Sequence, residues 1–143
     1  MRTDEGGPAL FRLVRYWSRR WASGVPEADH VGHILVLEAI SAATDDGFAQ
    51  ISAVAGELGL DRSNASRMLA AAVSAGLVAK TAAPDDARRT ELALTPSGAE
   101  LLAAARAWQA ETFARMVADW PAADARRFAA YLVRLANQKE IHP

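Results

Sequence analysis

The sequence predicts a mostly α-helical chain interrupted by one small β-hairpin, and three observations carry that expectation. Two helix patterns separated by a glycine-centred turn follow one another between residues 55 and 76. Short apolar strand patterns then flank the charged, turn-rich segment AAPDDARRTE. Apolar stripes of helical period run near both ends of the chain. A chain of 143 residues, 51% hydrophobic and 23% charged, fits one soluble domain (1–143) with a single core.

Taken in order, Leu10, Val14, Trp17 and Trp21 form the first stripe, on a helix expected at about 8–22. The apolar run Ile34 to Leu37 is bounded by His33 and Glu38 and is too short to span a bilayer. No basic region followed by an apolar stretch and a cleavage site opens the chain, so a cytoplasmic location is expected. Ala55 and Gly59 are small residues four apart, where helices approach closely and where Gly tolerates the positive φ that ends a helix. Asp61 is placed to cap a new helix, its oxygen accepting from free N–H groups and its charge suiting the positive helix end. Ala65, Met68, Leu69, Ala72 and Val73 then form the buried stripe of that helix, and Gly76 ends it.

Leu77 and Val78 start a strand, and Leu92 and Leu94 alternate with period two on its return. Thr95 and Pro96 read as N-cap and first helical residue of a long Ala-rich helix to Val117, with Leu101, Leu102, Ala105, Trp108, Thr112 and Met116 on its apolar side. Phe128, Tyr131, Leu132 and Leu135 make the stripe of a last helix. The terminal helices, about 8–22 and 96–138, exceed what a compact helix-turn-helix lobe at about 31–95 needs, and pairing with a two-fold copy would bury their faces.

The face of the second helix opposite its stripe carries Arg62, Ser63, Asn64, Ser66 and Arg67, side-chain types that reach base edges and phosphates. A solvated helix face has the same composition, so the hairpin that follows matters. Arg88 and Arg89 at its tip, with Lys80 on its first strand, make it a wing. A wing so tipped suits the minor groove, whose narrow A/T-rich stretches concentrate negative potential. Asp86 is placed to brace Arg88 by a charge-assisted hydrogen bond. Helix, turn, helix and wing together predict a winged helix-turn-helix lobe with double-stranded DNA as its partner.

The segment GLVAKTAAPDDARRTELALTPSGAELL resembles the MarR-type bacterial transcription regulators. The resemblance rests on Gly76, Leu77 and Val78, on Asp86 and Arg88 at the tip, and on Leu94, Thr95 and Gly98 entering the next helix. LFRLVRYWSRRWA looks like the family's first helix, which extends the likeness over nearly the whole chain. Ala65, Ala79, Thr81 and Ala82 depart from residue types common in the family, and Lys80 is the only base on its strand. The resemblance implies a homodimer built by the first and last two helices and a small-molecule-responsive repressor on a pseudo-palindromic operator. It also implies a site for a small aromatic or anionic effector between those helices and the DNA-reading lobe, bordered by Tyr16, Trp17, Arg20, His33, Leu37 and Trp108.

Composition narrows the alternatives. A chain without cysteine cannot use thiol oxidation as a switch. His30 and His33 stand beside Glu27 and Asp29 at what reads as a helix start rather than a metal site, and no metal or other cofactor is expected. The pairs Asp45/Asp46 and Asp85/Asp86 lie in polar turns, and neither a Gly-rich phosphate loop nor a nucleophile elbow occurs, so an enzyme is not expected. The net charge of −1 is unusual for a nucleic-acid binder. It reflects residues 23–49, which hold five acids and no Lys or Arg, whereas residues 50–95 balance five bases against five acids. A winged-helix dimerisation or protein-interaction module that reads no DNA therefore stands as the alternative.

Overall fold

The computed structural model describes residues 2–24 and 31–138, with side chains described at 2–18 and 32–138. After a short 3₁₀ turn (Thr3–Glu5) come α1 (Gly6–Gly24), α2 (Val31–Ala43), β1 (Ala49–Gln50), α3 (Ile51–Leu58), α4 (Arg62–Ser74), β2 (Val78–Ala83), β3 (Asp86–Leu94), α5 (Pro96–Met116) and α6 (Ala122–Ala136). Among the described residues this is a mostly helical chain with one three-stranded antiparallel sheet, ordered β1-β3-β2. The chain divides into two compact units, residues 1–106 and 107–143.

In the first unit α2 is the central post. Its sequence, VGHILVLEAISAA, is apolar nearly all round, the signature of a helix surrounded by others. Ile34, Val36, Leu37 and Ile40 are at most 1% exposed. Val54 of α3, Leu69 and Ala72 of α4, Val78 of β2, Leu92 of β3 and Leu102 of α5 complete the core. Burying each large side chain here contributes about 1.5–3 kcal/mol. The expected stripe of α4 divides as its period requires, with Ala65, Leu69 and Ala72 buried and Met68 and Val73 packed at the margin.

The turns follow local chemistry. Gly59 (φ 64°) and Gly76 (φ 76°) take the left-handed conformation where α3 and α4 end. Asp46 and Gly47 both have positive φ (55° and 90°), a primed two-residue turn closed by Asp45 and Phe48. That turn delivers Ala49 opposite Leu92 and Gln50 opposite Glu91, adding to the hairpin a third strand that the sequence pattern does not predict.

In the second unit Phe113 stacks on Phe128 with ring centroids 5.9 Å apart, and Trp120 tilts against Phe128 at 5.2 Å. Val117 is buried beside them. The outer faces of the terminal helices are less covered than their periodicity suggests. Leu10, Phe11 and Val14 of α1 are exposed, as are Met116 at the end of α5 and Tyr131, Val133 and Leu135 of α6.

Candidate nucleic-acid interface

The exposed face of α4 is organised by its cap. Asp61 sits in extended backbone (φ −64°, ψ 160°), and its Oδ1 accepts from the backbone N–H of Asn64 at 2.8 Å. Its Oδ2 accepts from Asn64 Nδ2 at 2.7 Å. The Asn64 Oδ1 in turn accepts from an Nη2 hydrogen of Arg67. The backbone hydrogen bond from Asn64, helped by its side-chain amide, holds the Asp61 carboxyl below the ordinary value of 3.8. Arg62, Ser63, Ser66 and Arg67 are exposed and Asn64 half-exposed, so the polar face presents short side chains flanked by two guanidinium groups.

The wing departs from a regular ladder. Ala82 pairs with Thr90 but Ala83 pairs with Asp86, so residues 87–89 bulge from β3 without strand partners. The expected charge-assisted hydrogen bond between Asp86 and Arg88 forms through the main chain. Asp86 Oδ1 accepts from the Arg88 backbone N–H at 3.0 Å, bracing the turn and not the guanidinium. The physical reason is proximity, because a short carboxylate two residues upstream reaches the main-chain N–H directly. Asp85, which the sequence places only in a polar turn, takes the guanidinium of Arg89 at 2.7 Å. Among the described residues Arg88 therefore projects an unpaired guanidinium from the bulge, while Arg89 is engaged by an exposed ion pair of small energy. Lys80 is exposed on β2.

A second constellation fixes the wing to the body of the lobe. Thr95 N donates to the carbonyl of Leu77 at 3.1 Å, and Thr95 Oγ1 donates to the carbonyl of Gly76 at 2.7 Å. The same Oγ1 accepts from Gly98 N at 3.1 Å and so caps α5. Gly98 is buried against Leu77, where an added Cβ would lie 2.1 Å from the Leu77 oxygen. The Gly76-Leu77-Val78 and Leu94-Thr95-Pro96-Ser97-Gly98 segments are thus two halves of one joint, closing the hairpin between the end of α4 and the start of α5. Their spacing is visible in the sequence, but their mutual contact is not.

Of the six residues expected around an effector, Tyr16, Trp17, His33 and Leu37 have described side chains in the first unit. Tyr16 is exposed and meets Trp17 edge-on at 5.4 Å. His33 is half-buried, and Leu37 is wholly buried in the core against α5. The Arg20 side chain lies outside the described residues, and Trp108 belongs to the second unit, where it is half-buried. Two open concavities in the first unit are lined by other residues. One, of about 530 Å³, lies among Asp45, Asp46, Phe48, Pro84 and Glu91, and another, of about 430 Å³, among Leu35, Glu38, Leu58, Leu60 and Met68. Beside the second, Arg106 of α5 grips Glu38 of α2 through Nε (3.1 Å) and Nη2 (2.8 Å), which raises the Arg106 pKa further.

Comparison with known proteins finds chains of similar fold. The sequence model of the MarR family matches residues 23–89. The PcaV transcriptional regulator from Streptomyces coelicolor, solved with its natural ligand, is 25% identical and superposes with a TM-score of 0.66 over 94% of this chain and 93% of its own. A single-site mutant of MepR from S. aureus bound to an oligodeoxyribonucleotide is 20% identical, with a TM-score of 0.63 over 93% of this chain and 97% of its own. A MarR family transcriptional regulator from Silicibacter pomeroyi is 19% identical, with a TM-score of 0.69 over 95% and 88%. No curated protein matches the chain.

Proposed function

We propose that the chain is a winged helix-turn-helix transcription regulator of the MarR type, whose family model matches residues 23–89, and that it binds double-stranded DNA sequence-specifically through α4 and the wing. The observation that carries this reading is the pairing of a capped helix, with Arg62, Ser63, Asn64, Ser66 and Arg67 outward, with a bulged wing whose Arg88 guanidinium has no partner among the described residues. In this reading α4 enters the major groove, where Arg67 addresses a base edge and Arg62 the backbone, and Arg88 enters the adjacent minor groove. Lys80 and Arg89 contribute phosphate contacts, Arg89 after exchanging Asp85 for a phosphate oxygen.

The protein acts as a homodimer. Exposed apolar side chains on α1 (Phe11, Val14) and on α6 (Tyr131, Val133) favour this, since such faces call for cover. A two-fold dimer reads a pseudo-palindrome with half-sites roughly 10 base pairs, or about 34 Å, apart. Occupying such an operator over a promoter represses, and a small aromatic or anionic effector releases it; that a regulator of similar fold was solved with its natural ligand supports an effector site. Among the described residues no helix is long and apolar enough to cross a membrane.

Gel-shift titration against the DNA upstream of the protein's own gene tests the proposal. A discrete complex that survives excess random DNA supports it, and light scattering on the same sample should give the mass of two chains. The net charge of −1 favours the second reading, an interaction module. Binding no stronger to the upstream region than to random DNA would favour that reading instead.

A further inference from the structure

The chain of hydrogen bonds on α4 says more than that a helix is capped. An asparagine that reads adenine presents its amide bidentately, with Oδ1 accepting from N6–H and Nδ2 donating to N7. The Asn64 amide has both ends engaged within the protein, Nδ2 by Asp61 Oδ2 at 2.7 Å and Oδ1 by the Arg67 guanidinium. Asp61 also fixes which end points where. Its acceptor-only carboxylate must face Nδ2, which turns Oδ1 towards Arg67. The guanidinium carries five N–H donors, and the hydrogen bond to Asn64 uses one. Among the described residues the rest have no partner, which leaves them for the O6 and N7 of guanine.

We infer that Asn64 is a positioning residue and not a base reader: the Asp61–Asn64–Arg67 relay holds the Arg67 guanidinium in place, so that α4 selects guanine at the position Arg67 addresses. The inference rests on the proposal that α4 reads DNA. It gives Asp61 two separable tasks, since one carboxylate oxygen caps the helix and the other orients Asn64. Asp61→Ser keeps a capping oxygen and removes the orienting one. Held in this way, the guanidinium loses less rotamer freedom when it meets a base.

The test uses the intact chain and duplexes selected from a randomised pool, followed by anisotropy titrations with each of the four base pairs at the position where Arg67→Ala relaxes preference. The parent should favour guanine there by about 5- to 150-fold, the range a bidentate arginine–guanine pair supports. Asn64→Ala and Asp61→Ser should each lower that preference by about threefold or more, as expected for losing one supporting hydrogen bond. Neither should change it further when combined with Arg67→Ala. Asp61→Ser covers the case in which Asn64→Ala fails to fold, and a preserved melting temperature shows that the cap survives. Helix destabilisation alone would weaken binding to every duplex equally and leave the preference intact.

Loss of an adenine preference at a different position in Asn64→Ala would make Asn64 a base reader and overturn the inference. So would an unchanged guanine preference in both variants, or losses that multiply with that of Arg67→Ala. A pool from which the parent enriches no sequence overturns the DNA-reading proposal itself. Enrichment by the parent with additive variants overturns the relay alone.

Discussion

Replacing Gly98 by Ala probes the joint between wing and body with a single methyl group. The added Cβ would lie 2.1 Å from the Leu77 carbonyl oxygen and 3.3 Å from Leu37 Cδ2. Carbon and oxygen in contact stand about 3.3 Å or more apart, so α5 and the Leu77 backbone must separate by roughly 1 Å. Overpacking of this kind costs about 1–3 kcal/mol. The displacement also stretches the 3.1 Å hydrogen bond from Thr95 N to the same oxygen, worth about 1 kcal/mol net. Against these stands the helix propensity of Ala over Gly, about 1 kcal/mol. The balance is a destabilisation of about 1–3 kcal/mol, or a fall in melting temperature of roughly 3–15 °C for a chain of this size. Thermal and urea unfolding followed by circular dichroism measure it. Gly56→Ala is the control, because Gly56 also lies in a helix yet has nothing within 4 Å of an added Cβ, so it should be neutral or stabilised by up to about 1 kcal/mol. A Gly98→Ala protein that melts with or above the parent, while Gly56→Ala behaves as stated, would refute the steric reasoning.

Thr95→Ala removes the cap of α5 together with the bond to the Gly76 carbonyl, and should cost about 1–2 kcal/mol in urea unfolding, where Thr95→Ser recovers most of the loss. Leu37→Ala should cost about 2–5 kcal/mol, because a side chain with 0% exposure leaves a cavity; a cost below about 1 kcal/mol would return Leu37 to the rim of a site. The Asp61 carboxyl has a depressed folded pKa, so its contribution is fully present above the unfolded value of 3.8 and is lost as pH falls through the folded value. The stability difference between the parent and Asp61→Ala should therefore shrink as unfolding is measured at pH values below 3.8, and a difference independent of pH would show that the cap does not depend on charge.

What sequence reading reached, and what it did not, divides by range. Gly59, Gly76, Asp61 and the Thr95-Pro96 entry are governed by interactions within a few residues, and each takes the turn or cap its chemistry predicts. The hairpin was legible from its alternation. The strand Ala49–Gln50 was not, since two residues carry no period and their partner, Leu92, is distant in the chain. At the wing tip the spacing Asp86-x-Arg88 identified a real contact but not its acceptor's target, because a carboxylate choosing between an amide and a guanidinium leaves no trace in spacing. The Asp85–Arg89 pair was hidden by the bulge, which sets the two side chains on converging paths. Leu37 illustrates the converse limit. An apolar residue on a helix reads alike as core or as pocket wall, and only the packing of α2 among its neighbours places it in the core.

Whether the wing touches DNA is asked most directly by Arg88→Ala. Operator affinity of the parent and the variant should be measured from about 50 to 200 mM salt. If Arg88 occupies the minor groove, the variant binds more weakly throughout, and the slope of log K against log salt flattens by about 0.9, the release of one counterion. Its melting temperature should match the parent's, since the exposed tip of the hairpin buries little. Equal affinity and an unchanged slope at every salt concentration would contradict the account, leaving a wing that reads no DNA.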